Sequence, residues 1–379
     1  MTDLSTYQLL TCCARARLEP EHYAQLADQA NQFTAWSHLA VHAETHGLAP
    51  LLYLHLRTAG IEIPPVAKQA LQGLYLRHRR ANQIRTQALG EILAAYETAG
   101  IKALVLKGAA LAHLIYPQPG LRAMRDMDIL VEKSAACQAQ AVLASLEFAA
   151  PSPRNGVLPD KHLTPAKRRD AGVTVTVEVH HNLFDAAYPA SMELPELTAG
   201  PLSFPLAGSG VMASTLGYED MLWHLCQHMT LNASVFGATR LIWIADVVSF
   251  AEQFANEIDW QAVWHRYPLV INVLSLLHFM MPLSATLRQA ARLKIGRAPQ
   301  GIGLDFQGWP RSSWREQRPK GYQHMLRDTF WPSEWWLRLS YGLDSAQPLF
   351  WHRWVRHPLA ILGWVQQLIL ERLGWWPPL

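Results

Sequence analysis

Apolar and polar residues alternate strictly from Val173 to His180, where Val173, Val175, Val177 and Val179 are interleaved with Thr174, Thr176, Glu178 and His180. A period of two over this length predicts a half-buried strand and sets Glu178 on its polar face beside His180 and the two threonines. Two further runs read as strands. Ile101 to Leu106 (IKALVL) is short, apolar and β-branched and ends at Lys107-Gly108, which predicts a buried strand closed by a glycine turn. Asp126 to Val131 (DMDILV) is the third, and because residues two apart in a strand share a face, Asp126 and Asp128 project together.

Most other segments carry helical periodicity. Glu21 to Thr34, Trp36 to Thr45 (closed by Gly47), Pro50 to Ala59 and a long run from Pro65 to Thr98 predict an N-terminal helical region over 1–99. In 100–207, Gly108 opens a helix over Ala109 to Tyr116 that stops before Pro117, and Ser134 caps an alanine-rich helix to Leu146. Helices over Gly217 to Thr230 and Ile258 to Tyr267 define a helical domain over 208–300, and a tail over 301–379 includes an amphipathic helix from Pro358 to Leu373. The class is α+β, a mixed sheet core flanked by N-terminal and C-terminal helical regions. Pro151 to Asp170, polar and proline-bearing, reads as a loop.

Composition narrows the function classes. With 379 residues, 50% hydrophobic and 17% charged, the chain can bury a large core and form more than one domain. A net charge of +3 permits nucleic-acid contact without indicating it. Cys12, Cys13, Cys137 and Cys226 show no metal-binding spacing and read as reduced thiols of a cytoplasmic protein. The start, MTDLSTYQLL, has no basic region and no apolar core, so no secretory signal is expected, and no apolar run is long enough to span a bilayer.

The candidate chemistry lies in the carboxylates. Asp126 and Asp128 on one edge repel each other, a cost that a divalent cation removes, and Mg²⁺ favours one or two carboxylates together with substrate phosphates. If the Glu178 strand pairs beside them, three carboxylates converge on a site for two metals about 3.5–4 Å apart, the arrangement that holds the attacking and leaving oxygens of phosphoryl transfer. The alternative is an ordinary sheet whose acidic face is solvated. Backbone amides at the Gly108 turn and helix start suit phosphate oxygens, with Lys107 beside them and Arg122 and Arg125 anchored just before the carboxylate strand.

Several basic and aromatic groups read two ways. Arg77, His78, Arg79, Arg80 and Arg85 form either a solvated helix face or a lining of the nucleotide or acceptor groove. Lys161, His162, Lys167, Arg168 and Arg169 form either a mobile loop over the triphosphate or a surface cluster. Asp220, His224 and His228 share one helical face, where packing or hydrogen bonding is favoured over zinc, which needs a third ligand. The tail crowds tryptophans, among them Trp331, Trp335, Trp336, Trp351, Trp354 and Trp364, with arginines, for packing or for contact with a membrane surface or partner protein.

Leu106-Lys107-Gly108-Ala109-Ala110, Tyr116, Arg122, Asp126-Met127-Asp128-Ile129-Leu130-Val131 and Glu178-Val179-His180 together resemble the bacterial nucleotidyltransferase family proteins of the polymerase-β-like superfamily, a largely uncharacterised subgroup. The resemblance extends to Ala40–Leu52, Asp220–His228 and Leu241–Val247, most of residues 30 to 265. It implies a nucleotidyltransferase-type fold and Mg²⁺ or Mn²⁺ held by Asp126, Asp128 and Glu178. It also implies nucleotide binding at Lys107, Gly108, Ala109, Arg122 and Arg125, with His228 or Asp246 as base. Ala109 departs from the second glycine or serine common in the superfamily, which removes one phosphate contact, and the interval from Gly108 to Asp126 is longer than in compact members. The implied reaction moves an NMP from an NTP such as ATP to an unidentified acceptor, a small molecule, a peptide or protein, or an RNA end, with release of pyrophosphate. The competing readings are a catalytically inactive nucleotide- or partner-binding protein on the same fold and an RNA-binding adaptor.

Overall fold

The computed structural model describes residues 4–151, 161–185, 196–197, 199–317 and 321–373. The chain divides into two compact units, Met1–Leu225 with Arg240–Asp259, and Cys226–Thr239 with Trp260–Leu379.

The first unit opens with helices α1 (Leu4–Cys12), α2 (Pro20–Gln32), α3 (Trp36–Thr45), α4 (Ala49–Thr58) and the long α5 (Pro65–Thr98). Prolines stand at the starts of α2, α4 and α5, where a missing N–H costs nothing. Then come β1 (Ala103–Val105), α6 (Lys107–Leu114), β2 (Met127–Val131), α7 (Ala136–Ser145), β3 (Ala166–Asp170), β4 (Val173–His180), β5 (Leu202–Pro205) and β6 (Met212–Thr215). The start of α8 (Tyr218–Phe236) and all of α9 (Leu241–Gln253) complete the unit.

Four strands form one sheet in the order β1-β2-β4-β3, and β5 and β6 form a separate hairpin. β2 is antiparallel to β1 and parallel to β4, while β3 runs antiparallel to β4 at the edge. The fold is thus α+β with a mixed sheet, as the residue pattern implied. Every residue of β2 is buried, as in central strands covered on both faces, whereas β4 buries Val175, Val177 and Val179 in strict alternation. α5 packs on β4 and α7 and on the short turn Pro119–Leu121. Asn82 of α5 fixes that turn, its Nδ2 donating to the carbonyls of Pro119 and Arg122 at 2.7 Å each.

The segment expected as a loop over Pro151 to Asp170 is corrected in its last quarter. Residues 152–160 lie outside the described residues, but Ala166–Asp170 is a strand. Its sequence, AKRRD, buries only Ala166 fully, so an apolar period cannot reveal it. Arg168 is held there by Asp170 at 2.8 Å and Glu91 at 2.7 Å and lies over the Phe148 ring.

The second unit is helical: the rest of α8, α10 (Trp260–Arg266), α11 (Pro268–Leu277), α12 (Ala285–Ala290), α13 (Trp314–Gln317), α14 (Tyr322–Phe330), α15 (Glu334–Tyr341) and α16 (His357–Arg372). Its aromatic core stacks Phe306 on Trp336 at 4.6 Å, with Trp364 edge-on to Phe306. Ser284 and Ser333 cap α12 and α15 by accepting from the backbone.

A Cβ on Gly120 would meet the Cα of Arg79 on α5 at 2.8 Å, so only glycine lets this turn approach the helix. Gly120→Ala is therefore expected to lower stability by about 1–3 kcal/mol, as overpacking does, which a shift in denaturant midpoint measures.

Candidate active site

The parallel pairing of β2 with β4 places Asp128 directly opposite Glu178, and Leu130 opposite His180. Side chains in register across adjacent strands share a face. The site therefore gathers Asp128, Glu178 and His180, one ligand atom of each lying within 4.8 Å of the others. Among the described residues this is the sole group of three or more His, Cys, Asp or Glu so arranged. His180 is fully buried, and its Nε2 lies 2.9 Å from Asp128 Oδ1 and 3.4 Å from Glu178 Oε2.

Asp128 is only 6% exposed. Burial alone would push its carboxyl up, but the Lys107 ammonium, 3.2 Å from Oδ2, and the His180 hydrogen bond hold it well below the usual carboxylate range. Asp126, just before β2, responds in the opposite sense. Although its side chain reaches solvent, the crowding of protein around it and the charges of Asp128 and Glu178 raise its pKa, and Lys107 only partly offsets them. Asp128 and Glu178, with His180 as a nitrogen ligand among them, suit a divalent cation, whereas Asp126 falls outside this group and is linked to it through charge alone.

A second set of cations faces the same carboxylates. Residues 161–163 pair with the end of β4: the Lys161 carbonyl accepts from the His181 amide, and the Leu163 amide donates to Val179. Burial and the nearby Lys107 charge lower the Lys161 pKa, against the pull of Asp128, Asp185 and Glu178. His162 Nε2 lies 3.8 Å from Glu178 Oε2, its ring centroid 5.0 Å from that of His180.

The corner between β1 and α6 is made by Lys107, not by the glycine. Lys107 takes the left-handed backbone conformation, φ 46°, and the Leu106 amide donates to the Asp128 carbonyl, bringing β1 to its end beside the site. Gly108 and Ala109 are buried in α6. A Cβ on Gly108 would lie 3.2 Å from Cζ of Arg122, so the glycine is needed for the close approach of that guanidinium.

Arg122 is itself 7% exposed. Its Nε and Nη2 donate to the two oxygens of Asp246 at 2.6–3.0 Å, its Nη1 donates to the Ala123 carbonyl, and the Tyr116 hydroxyl donates to Asp246 Oδ1 at 2.7 Å. Burial works against this charge, and Asp246 overcomes it, raising the Arg122 pKa. Asp246 is thus committed to Arg122 and Tyr116. His228 falls in the second unit, where its carbonyl accepts from Asn232 Nδ2 at 2.7 Å. On the same helix but in the first unit, Asp220 accepts from the Ala199 amide and His224 lies edge-on to Phe184.

Of the other basic candidates, Arg125 is exposed, and its charge is felt at Glu44 and Arg240. On α5, Arg77 and His78 bind Glu44, whereas Arg85 is buried, donates to Asn82 Oδ1 at 3.1 Å and leaves its Nε without a partner. Burial lowers the Arg85 pKa and the Asp126 charge counters it. Sequence reasoning put His180 on the polar face but not among the site residues, and it could not separate Arg85 from its neighbours. The Glu-x-His spacing was the available signal for the former.

Residues 33–287 match the family described as an uncharacterised nucleotidyltransferase. Among solved structures, an antigenic nucleotidyltransferase-like protein from Paracoccidioides brasiliensis is similar at 17% identity and a TM-score of 0.37, over 57% of this chain and 96% of that one. A search of curated proteins returns no match.

Two outcomes are expected in metal-free buffer. Asp126→Asn removes a carboxylate whose ionised form the fold disfavours, so at pH 7 it is at least as stable as the parent, and its advantage disappears as pH falls and the parent carboxyl protonates. Asp128→Asn is less stable at pH 7, because a carboxylate held low contributes stability above its unfolded pKa that is lost only on acidification through the folded value. Thermal melts across pH 3–8 check both. Asp246→Ala strands the buried Arg122 charge and is expected to cost about 3–5 kcal/mol, read from chemical denaturation.

Proposed function

Because the chain belongs to the uncharacterised nucleotidyltransferase family, we propose that it transfers a nucleoside monophosphate from an NTP to an acceptor and releases pyrophosphate. The carrying observation is the register of β2 on β4, which sets Asp128 against Glu178 with His180 between them and Asp126 alongside. Asp128 and Glu178, with Asp126 beside them, would hold the divalent cations, and His180 would be a further nitrogen ligand. The bound ions supply Lewis-acid charge that polarises the α-phosphoryl group and stabilises the leaving oxygen.

The chain's own residues supply the rest. Lys107, now paired with Asp128, and Lys161 above it present two ammonium groups to the phosphate oxygens. An acceptor oxygen forms the new bond to the α-phosphorus, the bond to the bridging oxygen breaks, pyrophosphate leaves with that electron pair, and the acceptor proton passes to solvent or a nearby base. Asp246, with both oxygens engaged, fixes Arg122 against Gly108 and so positions the corner that carries Lys107. A nitrogen ligand suits Mn²⁺ better than Mg²⁺, so Mn²⁺ is the preferred activator.

A nucleotide-binding protein without turnover is the second reading, favoured by one contact: the Lys107 ammonium already neutralises Asp128 without a metal. α-Phosphate-labelled ATP, GTP, CTP and UTP, offered with Mn²⁺ or Mg²⁺ and fractionated cell extract, separate the two. Label transfer that falls by at least about 100-fold in Asp128→Asn and Glu178→Gln is the expected result. For His180→Gln the metal concentration required rises by about 10–100-fold. Equal transfer in the parent and Asp128→Asn sinks the enzymatic reading. Metal-independent NTP binding in calorimetry that survives Asp128→Asn selects the other.

A further inference from the structure

Most of the large apolar side chains exposed among the described residues lie beyond residue 300, in the second unit. Seven of them fall between Phe350 and Leu373, on the C-terminal helix and the turns before it. At about 3.6 residues per turn, α16 turns His357, Ile361, Trp364 and Leu368 to one side, where His357 and Ile361 are buried and Trp364 meets Phe306 and Trp336. The opposite side carries Leu359, Leu362, Ile369 and Leu373, exposed by 62%, 65%, 52% and 58%. The helix is therefore apolar on two faces, and one of them is uncovered. Its core side is enclosed, and the opposite stripe, interrupted only by the exposed Gln366, is left open.

The turns just before α16 extend the exposed face with aromatic rings. Phe350, Trp351 and Trp354 are 71%, 62% and 55% exposed, and Trp354 meets the half-exposed Trp331 of the same unit, edge to face at 4.6 Å. Between Ser345 and Leu370 the sole charged side chains are Arg353 and Arg356. Arg353 lies over the Trp331 ring at 4.9 Å and Arg356 over Tyr341 at 4.9 Å. No described helix is long and apolar enough to cross a membrane.

We propose that this face, from Phe350 to Leu373, is a docking surface for an anionic lipid bilayer, on which α16 lies in the interfacial plane. Aliphatic residues on one helical stripe insert among acyl chains, tryptophans occupy the headgroup boundary, and arginines meet acidic headgroups. The charge pattern favours lipid over a second copy of the chain or another protein. The charges beside this stripe of leucine and isoleucine are Arg353, Arg356 and, at its end, Glu371 and Arg372, a net positive border that finds its complement in acyl chains beneath phosphate.

The full-length chain is mixed with vesicles of phosphatidylcholine alone or with one quarter phosphatidylglycerol and sedimented at two salt concentrations. Cosedimentation should be several-fold greater on the anionic vesicles and should fall with salt. Leu359→Glu/Leu362→Glu, both exposed, should melt at the parent temperature and lose at least ten-fold in bound fraction. Bromine-labelled acyl chains should quench tryptophan fluorescence of the unmodified chain, a readout that needs no variant. No cosedimentation and no quenching overturn the proposal, as does binding that the double variant retains. A dimer that the double variant converts to monomer, with no vesicle binding by either, assigns the face to a second copy instead.

Discussion

A carboxylate in the middle of a fully buried strand is the constraint around which the first unit is arranged. β2 runs Met127-Asp128-Ile129-Leu130-Val131 and has no exposed residue. An uncompensated charge there would cost several kcal/mol, so three separate parts of the chain converge on it. The left-handed corner at Lys107 supplies an ammonium, β4 supplies His180, and residues 161–163, laid along the end of β4, supply Lys161. Lys107 compensates Asp126 only in part, and Asp126 carries the remaining repulsion. Two aspartates two residues apart thus end with opposite electrostatic character.

How much of this was legible in the sequence depends on the range over which each signal acts. Period-two alternation revealed β4, and the apolar run after Asp126 revealed β2, because one residue's neighbours in sequence decide which face is buried. The placement of acids at the β2 start and on the polar face of β4 suggested that the two strands pair, and they do. β3 escaped notice because an edge strand with basic residues outward has almost no apolar signature. The hairpin β5–β6 escaped because each strand has four residues and one ends in proline.

The Arg122–Asp246 pair could not be read from periodicity at all. Its partners stand 124 residues apart, and each taken alone resembles a functional residue: an arginine before an acidic strand, an aspartate on an apolar helix. Their engagement with each other, and that of Asp246 with Tyr116, shows only in three dimensions. The tryptophan tail gave a mixed reading for a similar reason. Composition cannot tell which indoles turn inward, and the structure divides them, with Trp335 and Trp336 enclosed and Trp351 and Trp354 left in solvent.

The route of the polypeptide through Asp246 bears on how the first unit can be made. After Leu225 the chain leaves that unit, spends Cys226–Thr239 in the other, and returns as Arg240–Asp259. The brace under the Lys107 corner is therefore delivered by a segment that follows an excursion. A fragment cut at the end of the sheet would contain Asp126, Asp128 and Glu178 and still lack the counter-charge for a buried guanidinium. During synthesis, too, the corner stays unlocked until α9 has left the ribosome, long after its strands have emerged.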